Sequence, residues 1–196
     1  MPTTYTNRKG VTYHLCKGEI RSGKPRYFFR REPCGEPVEQ IPEGYRISES
    51  VNGIVSLARD RPSKILPEEL AAVEKTVRRH PKAGNYRVYV RGNRIRVYER
   101  VGLDPRGLLR PVGKELPWAS TAAEEALATL GRHAQFEPVL RFTLIDEGSR
   151  IFQAERMCYL GSIDDFIEIR SPGPVDDLAR ELVPKLGTDA FFEPYY

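Results

Sequence analysis

Residues 86 to 100 constrain the fold more than any other stretch. Tyr86-Arg-Val-Tyr-Val-Arg-Gly-Asn-Arg-Ile-Arg-Val-Tyr-Glu-Arg100 alternates with period two on either side of Gly92-Asn93, and two alternating runs around a two-residue glycine loop specify an antiparallel β-hairpin. Such a loop sets the register: 91 opposes 94, 89 opposes 96 and 87 opposes 98. One face then carries Val88, Val90, Ile95 and Val97 and must be buried. The other carries Arg87, Tyr89, Arg91, Arg94, Arg96, Tyr98 and Arg100. Arg91 opposite Arg94 is a like-charge pair, which destabilises a sheet unless an anion offsets it.

The same alternation opens the chain. Val11 to Lys17 and Pro25 to Arg31 read as a long hairpin around a loop containing Gly18, Gly23 and Lys24. Tyr13, Leu15, Tyr27 and Phe29 share one face, and Thr12, His14, Cys16, Arg26, Phe28 and Arg30 the other, so that a ring again sits between arginines. Short runs near Tyr45 to Ile47 and Ile54 to Leu57 flank Asn52-Gly53, a strong hairpin signal. Pro67 to His80 reads as a helix: proline at its first position, Leu70, Val73 and Val77 at helical spacing, acidic Glu68 and Glu69 first, basic Arg78 and Arg79 last, and Pro81 as the stop.

From Val101 to Pro117 three glycines and three prolines mark a linker. Thr121 and Glu124 have capping-box spacing ahead of a short helix with Ala126, Leu127 and Leu130, stopped by Gly131. Val139 to Ile145 and Ile151 to Cys158 flank Asp146-Glu-Gly-Ser149 as a hairpin of unassigned faces. Asp165 to Arg170 reads as an edge strand, and Val175 to Val183 as a last helix with Val175, Leu178 and Leu182 inward. The expected architecture is α+β: a basic, antiparallel sheet-rich region with one helix at 1–100, a linker at 101–117, and an acidic helix-hairpin-helix region at 118–196.

Charge supports that division. Residues 1–112 hold 23 Lys and Arg against 12 Asp and Glu, and residues 113–196 hold 8 against 15. Such asymmetry fits either a polyanion partner or two halves that attract each other. No run approaches the roughly 18 apolar residues that span a bilayer, Met1-Pro-Thr-Thr lacks a basic and then apolar leader, and three cysteines, Cys16, Cys34 and Cys158, make no even framework. A cytoplasmic protein without membrane contact is the expectation; a Cys16 to Cys34 bridge stays open.

No catalytic signature stands out. Nucleic acid or another polyanion is the leading partner, because phosphate contacts come from Arg and Lys while Tyr and Phe stack on unpaired bases. Arg26, Phe28, Arg30, Arg87, Tyr89, Arg91, Arg94, Arg96 and Tyr98 are the candidate nucleic-acid-binding residues. Against this stands self-pairing, with Arg96 over Tyr89 and Arg87 over Tyr98 as cation-π contacts. A protein-interaction or adaptor role for the basic sheet, or for the tail Phe191-Phe-Glu-Pro-Tyr-Tyr196, is the second reading; the tail either docks on its own domain or anchors a partner. The third is a metal-assisted hydrolase using Asp146, Glu147, Glu155, Asp164 and Asp165 with His133, or a Cys158 and His133 pair, although no spacing ties these together. His14, Cys16 and Cys34 are too few and too widely spaced for structural zinc. Arg21-Ser-Gly-Lys24 lacks the helix that a phosphate loop needs. His80 and His133 are explained as cations closing their helices. No cofactor or metal is expected.

Thr6-Asn-Arg-Lys-Gly10, Thr12-Tyr13, Gly23-Lys-Pro-Arg-Tyr-Phe-Phe29 and Ile41-Pro-Glu-Gly-Tyr45 resemble the opening of a prokaryotic family of uncharacterised hypothetical proteins. The resemblance covers about the first 60 residues and extends to Gly161-Ser-Ile-Asp-Asp165. It departs at Ser48-Glu-Ser-Val51 from the more polar, Asn-Pro-containing run of the family. It implies a bacterial or archaeal source and carries no activity, cofactor or site residue.

Overall fold

Alternation and turn chemistry lay the elements along the chain in the order β1 (Thr4–Thr6), β2 (Thr12–Glu19), β3 (Pro25–Arg30), β4 (Glu36–Pro37), β5 (Tyr45–Glu49), β6 (Val55–Arg59), α1 (Pro67–Arg79), β7 (Tyr86–Arg91), β8 (Arg94–Arg100), α2 (Ala119–His133), β9 (Phe136–Asp146), β10 (Ile151–Leu160), β11 (Ile163–Gly173) and α3 (Val175–Leu182). The computed structural model describes residues 2–33, 36–102, 119–160 and 163–193, without the side chains of 119–124, 160 and 163. Among these residues the strands form three antiparallel sheets, so the class is α+β. No helix among them is long and apolar enough to cross a membrane. Two compact units emerge, one of Met1–Arg61 with Leu103–Gln135 and one of Pro62–Gly102 with Phe136–Tyr196.

In the first unit β2 lies between β3 on one side and β1 and β4 on the other, while β5 and β6 pair separately. The β2–β3 register sets Leu15 opposite Phe29 and Cys16 opposite Phe28, as expected. β2 runs on to Glu19, so the loop shrinks to Ile20–Lys24, closed by Gly23 N–H to the Ile20 carbonyl at 2.8 Å. Asn52-Gly53 belongs to a three-residue loop rather than a two-residue one: the Ser50 N–H donates to the Ile54 carbonyl at 2.9 Å, with Gly53 at φ +77. That is the hairpin geometry in which glycine takes the left-handed position. Asn7, only 4% exposed, joins both hairpins. Its Nδ2 donates to the Gly53 carbonyl at 2.7 Å, and its Oδ1 accepts from the N–H groups of Lys9 (3.0 Å) and Val11 (2.9 Å). Glu49 adds a second link, accepting from the Tyr5 hydroxyl at 2.9 Å and the Arg8 N–H at 3.1 Å. α2 continues through Gly131 to His133. Gly131 lacks the positive φ of a helix stop, and glycine inside a helix costs only about 1 kcal/mol. Thr121 and Glu124 fall among residues whose side chains are not described, and Cys34 lies outside the described residues; Cys158 is a free thiol.

The second unit is one five-stranded meander in sequence order, β7 to β11. Gly92 at φ +63, the only positive value in its loop, gives β7 and β8 the expected pairing of Arg91 with Arg94, Tyr89 with Arg96 and Arg87 with Tyr98. β8 then pairs along β9, with Ile95 opposite Phe142 and Val97 opposite Leu140. Residues 86–100 thus share a sheet with strands from the last third of the chain. A two-stranded ribbon cannot bury its apolar face alone, and β9 and β10 extend it. Most of the 101–117 linker lies outside the described residues. The expected helix-hairpin-helix ending is a helix, three strands and a helix instead: β11 pairs with β10 from Leu160–Ile163 to Phe152–Gly173. Pro172 is tolerated there because an outer strand has N–H groups with no ladder partner.

α1 and α3 cover the apolar face. Val73 and Val77 of α1 and Val175, Leu178, Ala179 and Leu182 of α3 pack with Ile95, Val97, Leu140, Phe142, Phe152 and Ala154. Glu69 accepts the Leu66 N–H at 2.8 Å at the start of α1 and takes both Nε and Nη2 of Arg150, at 2.8 and 2.6 Å. Arg150 is held there at φ +56, a conformation few non-glycine residues adopt. His80 is no helix-closing cation. It is 8% exposed, its Nδ1 accepts the Lys82 N–H at 3.1 Å, and its Nε2 therefore donates to the Leu186 carbonyl at 3.2 Å. Phe191 of the aromatic tail docks in the core at 2% exposure, while Phe192 is 59% exposed against it. Tyr195 and Tyr196 lie outside the described residues.

Asn7→Ala strips three backbone groups of a buried partner, and each such loss costs about 1 to 3 kcal/mol. Urea denaturation should show a loss of about 3 kcal/mol; a loss near zero would mean that Asn7 does not join the two hairpins.

Candidate polyanion-binding face

Because side chains alternate along every strand, direct cross-strand partners form rows on one face. One row runs Tyr89, Arg96, Arg141, Glu155, Glu168 across all five strands. The next runs Arg91, Arg94, Thr143, Gln153. Arg96 thus faces a second like charge, Arg141, in addition to the Arg91–Arg94 pair visible in the hairpin. This face lies opposite the one packed under α1 and α3.

Arg141 and Glu155 neutralise each other. The Arg141 Nε donates to Glu155 Oε2 at 2.7 Å, Nη2 bonds Oε1, and the Thr143 hydroxyl donates to Oε2 at 2.6 Å. Both side chains are 13% exposed, and the Arg141 guanidinium lies 4.0 Å from the centre of the Phe166 ring. Burial alone would push the Glu155 carboxyl up. The hydrogen bonds from Arg141 and Thr143, with the positive charges of Arg141 and Arg94, outweigh it and hold the group below the usual carboxylate range.

Arg94 and Arg96 lack such a partner. Among the described residues no carboxylate lies within ion-pair distance of either, or of the exposed Arg91. The Nε atoms of Arg94 and Arg96 are buried without a hydrogen-bond acceptor, a condition that costs about 1 to 3 kcal/mol for each donor. Arg87 is engaged, its Nη1 donating to the Tyr86 carbonyl at 2.8 Å and its guanidinium lying 5.1 Å from the Phe136 ring. Tyr89, Tyr98 and Arg100 are half-buried on the same hairpin.

Arg26, Phe28 and Arg30 belong to the first unit. Phe28 lies over Gly18, where an added Cβ would meet the ring at 3.2 Å, and Arg30 stacks on Phe28 at 5.5 Å. Arg26 and Arg30 are exposed.

The acidic groups considered for hydrolysis are scattered. Asp146 caps its own turn, accepting from Gly148 N–H at 2.8 Å and the Ser149 hydroxyl at 2.6 Å, which lowers it below its ordinary value. Glu147 pairs with Lys64, and Asp165 accepts the Phe166 N–H at 2.7 Å. His133 is in the first unit and Cys158 in the second. Among the described residues no three His, Cys, Asp or Glu side chains are placed to share a metal ion. The two oppositely charged parts of the sequence meet in described ion pairs at Lys64–Glu147 and Glu69–Arg150, not on the arginine hairpin.

Arg141, Glu155 and Phe166 escape a reading of the hairpin alone. The signal for Arg141 is the alternation Leu140-Arg-Phe-Thr-Leu144, which parallels Ile95-Arg-Val97. Only the pairing of β8 with β9 gives it meaning. Compared with protein-family models, with curated proteins and with solved structures, the chain matches none.

Since Glu155 titrates below an unfolded value near 4.3, its ionised form is favoured by folding. The stabilisation is complete above that value and is lost as pH falls through it towards the folded one. Glu155→Gln should cost about 3 kcal/mol at neutral pH and flatten the loss of stability below pH ~4.3. Chemical denaturation across pH 2 to 7 reads both, and an unchanged acid slope would refute the pairing as a stabilising one.

Proposed function

We propose that the chain binds single-stranded nucleic acid across the arginine and tyrosine face of the β7–β11 sheet. The observation that supports this reading is the pair of buried, acceptor-less Nε atoms on Arg94 and Arg96, in a register that places like charges side by side. An anionic ligand offsets both at once: it neutralises guanidinium groups that have no carboxylate partner and screens the repulsion between them. Phosphate is an anion that guanidinium groups hold through paired N–H donors. Tyr89 and Tyr98, in alternate positions among the arginines, add flat surfaces for bases, each worth roughly 1 to 3 kcal/mol in such sites.

The shape favours single strands over duplex. A two-stranded ribbon enters the major groove, which is about 12 Å wide. Here β8 continues into β9 and the sheet is five strands across, roughly 19 Å at about 4.8 Å per step. Unpaired bases splayed over a sheet suit this surface better than a groove does.

Fluorescence anisotropy with labelled single-stranded DNA and RNA, at salt from about 50 to 200 mM, tests the reading. The unmodified protein should bind with strong salt dependence. The triple change Arg91→Ala, Arg94→Ala, Arg96→Ala should leave the protein folded by circular dichroism and lower the slope of log K against log salt by about 2. Absence of salt-sensitive binding by the unmodified protein, or an unchanged slope in the variant, would overturn the proposal.

A further inference from the structure

The second unit also contains a cavity of about 250 Å³. It lies where the ends of β8, β9 and β10 meet the segment after α3, and Val139, Met157, Leu186, Phe191 and Phe192 form its apolar wall. Glu99, Glu137 and the Tyr159 phenol supply polar groups. We propose that this cavity binds a small molecule with a compact apolar body and a protonated amine, the amine being held by Glu137 and Glu99.

The carboxylates are half-committed. Glu99 Oε1 accepts the Tyr86 hydroxyl at 2.9 Å and Glu137 Oε2 accepts the Tyr159 hydroxyl at 3.3 Å. Each has a second oxygen that takes no hydrogen bond from a described residue. Glu99 is half-buried, and a carboxylate partly withdrawn from water is a costly arrangement that a cation offsets. Arg100 also lines the cavity and Arg156 stands against its Phe192 wall, so two cations lie near the two carboxylates. Asp164 adds to the negative side: the Tyr159 phenol is pushed up by burial first, and then by Glu137 and Asp164.

The mouth is apolar too. Val101, Tyr159 and Phe192, at 49%, 56% and 59% exposure, are three large hydrophobic side chains left in solvent, and all three border this cavity. Exposed apolar groups gathered at one opening mark a binding site more than scattered ones do. The volume falls just below the roughly 300 to 1,000 Å³ typical for drug-sized ligands, which limits the occupant to a body of about one ring.

The wall is built rather than incidental. Gly187 sits at φ +71, where a Cβ would meet the Tyr86 oxygen at 2.9 Å. The Leu186 carbonyl beside it is held by His80 Nε2 at 3.2 Å, and the His80 and Tyr86 rings meet edge to face at 4.8 Å. Arg156 lies 5.3 Å from the Phe192 ring and supports it from behind the opening.

Isothermal titration of the full chain with 2-phenylethylamine, 2-phenylethanol and phenylacetate separates the possibilities. A charge-assisted hydrogen bond to carboxylate is worth about 1.5 to 3 kcal/mol, so the amine should bind at least about tenfold more tightly than the neutral alcohol. Glu137→Gln, an exposed position that should not affect folding, should abolish that preference and leave the alcohol unchanged. Equal binding of the three probes, a preference for phenylacetate, no binding at all, or a preference that survives Glu137→Gln would each overturn the proposal. None of these outcomes depends on the arginine face.

Discussion

The pairing of β8 with β9 is the constraint on which the second unit depends. It joins a hairpin near the middle of the chain to strands from its last third, and so turns a ribbon that could not bury its own apolar face into one side of a five-stranded sheet. Ile95, Val97, Leu140 and Phe142, paired across this seam, are each fully buried. At roughly 1.5 to 3 kcal/mol for each large apolar side chain removed from water, they are the main gain from the pairing. The same register forces Arg96 against Arg141 on the opposite face.

The magnitudes decide which effect prevails. Unfavourable cross-strand pairs cost roughly 0.2 to 1 kcal/mol each, and an orphaned donor about 1 to 3. Two of each fall short of the gain from four buried side chains at roughly 1.5 to 3 kcal/mol apiece, so the core dictates the register and the charged face accepts its consequences. Arg141 escapes through Glu155, Thr143 and the Phe166 ring. Arg94 and Arg96 do not, and their orphaned donors are the residue of a conflict that the fold resolves in favour of its core.

A second network links α1 to the end of the chain. His80, expected to act through charge at a helix end, is neutral at Nδ1 and bridges two backbone groups. Its contact with Tyr86, and Tyr86 with Glu99, runs from the end of α1 through β7 to β8, while the His80 Nε2 proton reaches Leu186 after α3. Gly187 completes it by bringing its backbone close to the Tyr86 oxygen. These contacts shape the wall of the apolar cavity and couple its geometry to the packing of α1 and α3.

Local rules made much of this legible. Period-two alternation and Gly92-Asn93 determined the β7–β8 register, proline and paired charges determined α1, and helical spacing determined the inward residues of α3. Those signals act between residues a few positions apart, where sterics and turn geometry leave one solution. Tertiary structure alone decided that β8 has a second neighbour, that β11 is a full strand, that α2 passes Gly131, and that Glu155 pairs with Arg141. Strand neighbours distant in sequence are chosen by which apolar faces bury one another, and an alternating pattern says which side is buried without saying against what.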